Sequence, residues 1–116
     1  MCHVLIIEDE PLVAMDLEMM LEEAGATSFD VAATEAEAIE AARNHPPQLI
    51  TSDMRLLDGT GPAAVRVIIA EQGEVPVIFI SGTPEDCQPC SAKAVVLGKP
   101  FRRGSVVDMF RRLAPV

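Results

Sequence analysis

The segment Leu49-Ile50-Thr51-Ser52-Asp53 is a largely apolar run that ends on one aspartate, and a loop with two glycines follows at residues 56–61. A short apolar run bounded by turn residues is typical of a buried strand in a parallel sheet. In open parallel sheets, ligands bind in the crevice outside the carboxyl ends of the strands. The position of Asp53 therefore predicts a role in chemistry rather than in packing.

Four other segments have the character of strands, at residues 4–7, 29–33, 77–80 and 94–97. In the second of them Phe29, Val31 and Ala33 alternate with Asp30 and Ala32, which predicts a half-buried strand.

Helical patterns separate these strands. A helix is predicted to begin at Pro11 and end at Gly25, and its sheet-facing residues recur at helical spacing: Val13, Leu17, Met20, Leu21 and Ala24. Thr34 and Glu37 form a capping box that opens a helix through about Asn44. Further helices are predicted over residues 62–72 and near the C-terminus, the latter with Val106, Phe110 and Leu113 on one face. Residues 85–92 contain a proline and few apolar anchors, so any fourth helix there is short or frayed.

The alternation of five strands with helices predicts an α/β three-layer domain, with a parallel sheet, right-handed crossovers and helices on both faces. A chain of 116 residues is expected to form one domain, residues 1–116, that buries a normal core.

Charge and composition narrow the class of protein. The net charge of −9 opposes phosphate backbones and anionic lipid, so neither nucleic acid nor membrane is expected as a direct partner. The chain has no membrane-span pattern and no secretion signal at its start, which predicts a cytoplasmic protein with three reduced cysteines.

Cys87 and Cys90 could be redox active or half of a zinc site, but the favoured interpretation is that they are two thiols in a loose loop without a function. His3 and His45 are interpreted as surface residues without a catalytic role.

Polar side chains follow four of the five strands: Glu8 and Asp9, Asp53, Ser81, and Lys99. Three carboxylates that converge on one crevice repel each other and destabilise the fold unless a cation lies among them. Oxygen ligands favour Mg²⁺, with Mn²⁺ as a substitute. An aspartate with an ordinary pKa is ionised at neutral pH, so Asp53 could attack phosphorus without a general base. Lys99 and Ser81 would then contact the phosphoryl oxygens.

A second stripe on the first helix consists of Leu12, Met15 and Met19, turned away from the sheet-facing residues. Core packing does not require this stripe, so it is a candidate docking face for a partner protein. A buried dimer contact and chance are alternatives that the sequence leaves open.

The set Glu8-Asp9, Asp53, Ser81 and Lys99-Pro100-Phe101 resembles the response-regulator receiver domain of two-component signalling, in order and in spacing along the whole chain. The resemblance implies a flavodoxin-like fold with strand order 2-1-3-4-5. It also implies that Asp53 takes a phosphoryl group from a histidine kinase or a histidine phosphotransfer protein. The magnesium ligands would then be Glu8, Asp9, Asp53 and the backbone carbonyl of Arg55.

The chain departs from the family pattern at three positions. Val96 stands where the family's switch aromatic is expected, Leu57 where a proline is common, and Glu8 where aspartate is more usual. The usual aromatic coupling therefore cannot operate in its standard form, which leaves the output surface open. The missing aromatic, the weak fourth helix and Phe79-Ile80-Ser81-Gly82 are similar to a subgroup of single-domain receivers called FAT GUY regulators. If the chain is complete, its output is protein binding or action as a phosphate shuttle or sink.

Three other functions can be compared with this one. An aspartate-nucleophile phosphatase would want a second carboxylate two residues after Asp53, where Arg55 stands. A flavin-binding electron carrier would want a Ser/Thr-rich loop after the first strand and aromatic walls, and the chain has neither Trp nor Tyr. A receiver-like adaptor that never takes phosphate would bind no magnesium and ignore acetyl phosphate.

Overall fold

Five strands form one parallel sheet in the computed structural model, which describes residues 2–53, 56, 58–81, 94–98 and 103–113. They are β1 (His3–Ile7), β2 (Ser28–Ala32), β3 (Leu49–Asp53), β4 (Val77–Ser81) and β5 (Ala94–Gly98). Their order across the sheet is β2-β1-β3-β4-β5, and every neighbouring pair is parallel. The predicted strand order is confirmed.

The described helices are α1 (Pro11–Ala24), α2 (Glu35–Asn44), α3 (Gly61–Gln72) and α4 (Arg103–Leu113). The first three connect β1 to β2, β2 to β3 and β3 to β4, and α4 follows β5. The start of α2 is the predicted capping box, because the Thr34 side chain accepts a hydrogen bond from the Glu37 amide at 3.1 Å. The Glu37 carboxylate in turn accepts from the Ala33 amide at 3.0 Å. The short helix predicted within residues 85–92 lies outside the described residues.

Apolar clusters cover both faces of the sheet. On one face, Leu5 and Ile7 of β1 pack with Ala38 and Ala42 of α2 and with residues of α3. On the other face, Val4 and Ile6 pack with residues of α1 and α4. Alternate residues of β1 therefore enter opposite cores, which confirms three layers.

The alternation predicted for β2 does not match its burial. Val31 is 47 % exposed, whereas Ala32 is buried against α2. The physical reason is that β2 is an edge strand of the sheet: α2 covers the face that carries Ala32, whereas Val31 on the opposite face is left in solvent.

No helix within the part of the chain that the structure describes is both long and apolar enough to cross a membrane.

Candidate functional site

The parallel pairing of β1 with β3 brings acidic residues from two strands together. Ile7 pairs with Ser52, so that Glu8 and Asp9, which follow β1, lie beside Asp53 at the end of β3. One carboxylate oxygen of each of these acids lies within 4.8 Å of the other two. The convergence expected from the sequence is therefore present for Glu8, Asp9 and Asp53.

Glu8 is the most buried member of this acidic crevice, with 4 % of its surface exposed. Its backbone amide donates to the Ala32 carbonyl at 2.9 Å, which ties the end of β1 to β2. Its side chain accepts a hydrogen bond from the Asp9 amide at 3.0 Å. Asp9 and Asp53 are half-buried, so the crevice is partly accessible to solvent.

The donor set of the crevice consists of carboxylate oxygens from three residues. Hard oxygen donors on a partly open site suit Mg²⁺, which retains several waters and takes only a few protein ligands. Glu8, Asp9 and Asp53 therefore fit Mg²⁺, the metal that the sequence predicts. Arg55, expected to add a carbonyl ligand, lies outside the described residues.

The loop after Asp53 is hydrogen-bonded to the start of α2. The Glu35 amide donates to the Asp58 carbonyl at 3.0 Å, and the Leu56 amide donates to the Gly59 carbonyl at 3.4 Å. Gly59 has a φ of +84°, in the left-handed region that favours glycine. The chain then enters α3, where the Thr60 side chain accepts from the Ala63 amide at 3.3 Å.

Ser81 is the last residue of β4 and lies at the same edge of the sheet as Asp53, because Ile80 pairs with Asp53. Gly98 ends β5 and pairs with Ser81. Lys99 follows Gly98 in sequence and itself lies outside the described residues.

The candidate docking face on α1 is exposed, as the sequence predicts. Leu12 is 77 % exposed, Met15 56 % and Met19 58 %. Leu12 is the second residue of a helix that begins two residues after Asp9, so one end of this stripe is adjacent to the acidic crevice.

Sequence reasoning missed one cluster, at the other end of the sheet. His3, Asp30 and His45 each offer a ligand atom within 4.8 Å of the others. The three residues are far apart in sequence, and no local pattern marks them; the register between β1 and β2 would have been needed to find them.

Of the three cysteines, only Cys2 lies within the described residues. Cys2 is a free thiol with no exposed surface, and burial raises its pKa. Cys87 and Cys90 lie outside the described residues, so the interpretation of this pair stays a prediction.

Comparison with known proteins gives one consistent result. The family model for the response regulator receiver domain matches residues 4–111. The phyllosphere-induced regulator PhyR of Methylorubrum extorquens is 40 % identical over 107 residues, which make up 90 % of this chain and 40 % of that protein. The chain spans less than half the length of the curated relatives it matches.

Comparison with solved structures gives the same family. The REC domain of the Erythrobacter litoralis PhyR response regulator has a TM-score of 0.86 at 34 % identity, covering 97 % of this chain and 88 % of that one. The receiver domain of the sensor histidine kinase PA1611 from Pseudomonas aeruginosa PAO1, which holds a magnesium ion in its active site cleft, has a TM-score of 0.82 at 27 % identity, covering 97 % of this chain and 96 % of that one. The sheet order, the acidic crevice and these likenesses lead to one conclusion: the chain belongs to the family of response regulator receiver domains.

Proposed function

We propose that Asp53 accepts a phosphoryl group from a phosphohistidine on a histidine kinase or phosphotransfer protein, and that residues 1–116 form one receiver domain for this purpose. Phosphorylation and Mg²⁺ binding at acidic residues are typical of the family. The observation that carries the proposal is the convergence of Glu8, Asp9 and Asp53 within 4.8 Å at the carboxyl ends of two adjacent strands.

In the proposed reaction, a carboxylate oxygen of Asp53 attacks phosphorus. The oxygen–phosphorus bond of an acyl phosphate forms as the phosphorus–nitrogen bond of the donor breaks, and the released imidazole nitrogen takes a proton from water. No general base is needed, because a carboxylate nucleophile, unlike a hydroxyl, has no proton to lose when it attacks. Asp53 is half-buried and therefore partly accessible to a donor side chain.

The metal ligands in this proposal are Glu8, Asp9 and Asp53, with the Arg55 carbonyl as a fourth. Bound Mg²⁺ supplies positive charge that offsets the negative charge of the phosphoryl oxygens. Lys99 would contribute a second positive charge, and the Ser81 hydroxyl would donate a hydrogen bond to the attached phosphoryl group. The placement of the Ser81 backbone beside the end of β3 supports its role.

The proposed kinase contact is the stripe Leu12, Met15 and Met19. Three large apolar side chains that are more than half exposed on one helix are costly in water unless a partner covers them. The stripe begins beside the acidic crevice, so a partner bound there could present a phosphohistidine to Asp53.

The output would be phosphorylation-dependent binding to another protein, or action as a phosphate shuttle or sink. The relatives named PhyR include one described as an anti-anti-sigma factor, from Bartonella quintana. A receiver of this kind could therefore control a protein contact rather than an enzyme activity.

Intact mass spectrometry tests the proposal. The chain is incubated with acetyl phosphate and MgCl₂, and the expected result is the gain of one phosphoryl group by the wild type and none by Asp53→Asn. Asp58→Asn is the matched control, because Asp58 is an exposed aspartate in the adjoining loop and should leave the gain intact. A wild type that gains no phosphoryl group and shows no magnesium binding would instead identify an adaptor that does not use phosphate.

A further inference from the structure

Two histidines and one aspartate converge at the end of the sheet opposite the acidic crevice. His3 is the first residue of β1, Asp30 lies in β2, and His45 directly follows α2. The crossover from β2 through α2 to β3 returns the chain to the beginning of the sheet, so the carboxyl end of α2 lies near the first residues of the strands.

The strand register explains why His3 and Asp30 share a face. His3 pairs with Ser28, and side chains two residues apart in a strand point the same way, so Ser28 and Asp30 lie on one side of β2. Leu5 lies two residues after His3, and Ala32 lies two residues after Asp30, so their side chains point to the same face of the sheet. Both pack in the core beneath α2. The side chains of His3 and Asp30 therefore lie on the α2 side of the sheet, and His45 directly follows the last residue of α2.

One nitrogen of each imidazole lies close to the same carboxylate oxygen of Asp30. The distance from His3 Nε2 to Asp30 Oδ2 is 3.0 Å, and that from His45 Nδ1 to the same oxygen is 3.4 Å. The ring centroids of the two histidines lie 5.6 Å apart at an angle of 64°. All three ligand atoms lie within 4.8 Å of one another.

We propose that His3, Asp30 and His45 bind one Zn²⁺ ion or a similar divalent transition metal. Two imidazole nitrogens and one carboxylate oxygen are typical zinc donors. Zinc-to-ligand distances of about 2.0–2.1 Å place tetrahedral ligand atoms roughly 3.4 Å apart. The two separations to Asp30 Oδ2, 3.0 and 3.4 Å, are close to that value, and the two imidazole nitrogens lie within 4.8 Å of each other.

The site has an open position for water or a further ligand. The His45 side chain is 71 % exposed and that of Asp30 is 31 % exposed, whereas that of His3 is 18 % exposed. A zinc ion would thus be anchored on the strand side and accessible from the helix side. Three protein ligands with a fourth position for water distinguish such a site from structural zinc sites, which are closed by four protein ligands.

Ser28 provides the outer contact that a zinc-binding histidine requires. Its hydroxyl oxygen lies 2.7 Å from His3 Nδ1. A hydroxyl can donate or accept, so it can donate to Nδ1 while Nε2–H donates to Asp30, or accept from Nδ1–H when Nε2 binds a metal. The imidazole can therefore change tautomer without turning, which lowers the reorganisation that binding demands.

This histidine cluster is separate from the acidic crevice in position and in chemistry. Glu8 comes five positions after His3 along an extended strand, which corresponds to a distance of about 17 Å. Nitrogen donors are poor ligands for Mg²⁺, which keeps oxygen ligands. Excess magnesium can therefore occupy the acidic crevice without competing at His3, Asp30 and His45.

Isothermal titration calorimetry with ZnCl₂ tests the site, on the full chain in a reducing buffer with excess MgCl₂. The expected result is one zinc per chain for the wild type and an affinity at least roughly 10-fold weaker for His45→Gln and for His3→Gln. Circular dichroism checks that both variants keep the fold. Binding of Co²⁺ gives a second readout, since a bound tetrahedral ion absorbs visible light and this band should vanish in His45→Gln.

Two control variants remove the other candidate ligands. Asp53→Asn alters the acidic crevice, and the double variant Cys87→Ser, Cys90→Ser removes the paired thiols; both should bind zinc as the wild type does. The proposal is overturned if the wild type binds no zinc, if His45→Gln retains wild-type affinity, or if the thiol variant loses binding.

Discussion

Gly61 lies against the backbone of Asp53 so closely that a Cβ atom on Gly61 would be 1.9 Å from the Asp53 carbonyl oxygen and 2.1 Å from Ser52 Oγ. The first residue of α3 thus abuts the strand end that carries the proposed phosphoryl acceptor. Its φ is not positive, so the requirement for glycine here is one of space and not of backbone conformation.

Gly61→Ala should therefore displace the end of β3 or the start of α3. We expect the free energy of unfolding to fall by about 1–3 kcal/mol, as for an overpacked core, and the labelling of Asp53 by acetyl phosphate to slow. Urea unfolding and intact mass measure the two effects. Gly104→Ala is the matched control, because a Cβ at Gly104 meets no atom within 4 Å and alanine favours the helix by up to about 1 kcal/mol. Equal stability of the two variants would contradict the role given to Gly61.

Asp53→Asn should change how stability responds to magnesium. With MgCl₂, the melting temperature of the wild type should rise more than that of the variant, because a metal that binds the folded state stabilises it. Differential scanning calorimetry with and without MgCl₂ measures both shifts, with Asp58→Asn as a control that should behave as the wild type. A magnesium response that is the same in wild type and Asp53→Asn would argue against metal binding in this crevice.

Met15→Glu should slow phosphotransfer from a histidine kinase that labels the wild type. Met15 is 56 % exposed in the middle of the stripe, so a charge there costs little stability but opposes an apolar contact. Labelling by acetyl phosphate, which needs no docking protein, should not change. Val31→Glu is the control, since Val31 is an exposed apolar residue on the edge strand and outside the stripe. Unaltered transfer to Met15→Glu would remove the docking assignment.

Local sequence patterns were sufficient to predict the order of strands and helices and the position of the acidic crevice. Each strand is a short apolar run, and the residue after such a run must lie at the carboxyl edge of a parallel sheet, so Glu8, Asp9 and Asp53 could be placed together from the sequence. The cap at Thr34 is similarly local, because its hydrogen bond spans three residues.

Relationships between distant segments could not be obtained in this way. The His3–Asp30–His45 cluster depends on the register of β1 with β2 and on where α2 ends, neither of which the local pattern contains. The exposure of Val31 depends on β2 being at the edge of the sheet. The contact of Gly61 with Asp53 depends on how closely α3 approaches β3, and the loop glycines alone do not reveal that distance.

Cys2 should be a protected thiol whose protonation contributes to stability. Its side chain has no exposed surface, and burial raises its pKa above the ordinary value of about 8.5. In the variant Cys87→Ser, Cys90→Ser, iodoacetamide should modify Cys2 far more slowly in the native protein than in urea. A thiol with a raised pKa in the folded state holds its proton more tightly there, so its contribution to stability is complete below about pH 8.5 and is lost as the pH rises through the folded value. The free energy of unfolding should consequently fall more steeply above pH 8.5 in this variant than in the same variant with Cys2→Ala. Alkylation at equal rates in native and unfolded protein, or parallel pH profiles, would refute the assignment.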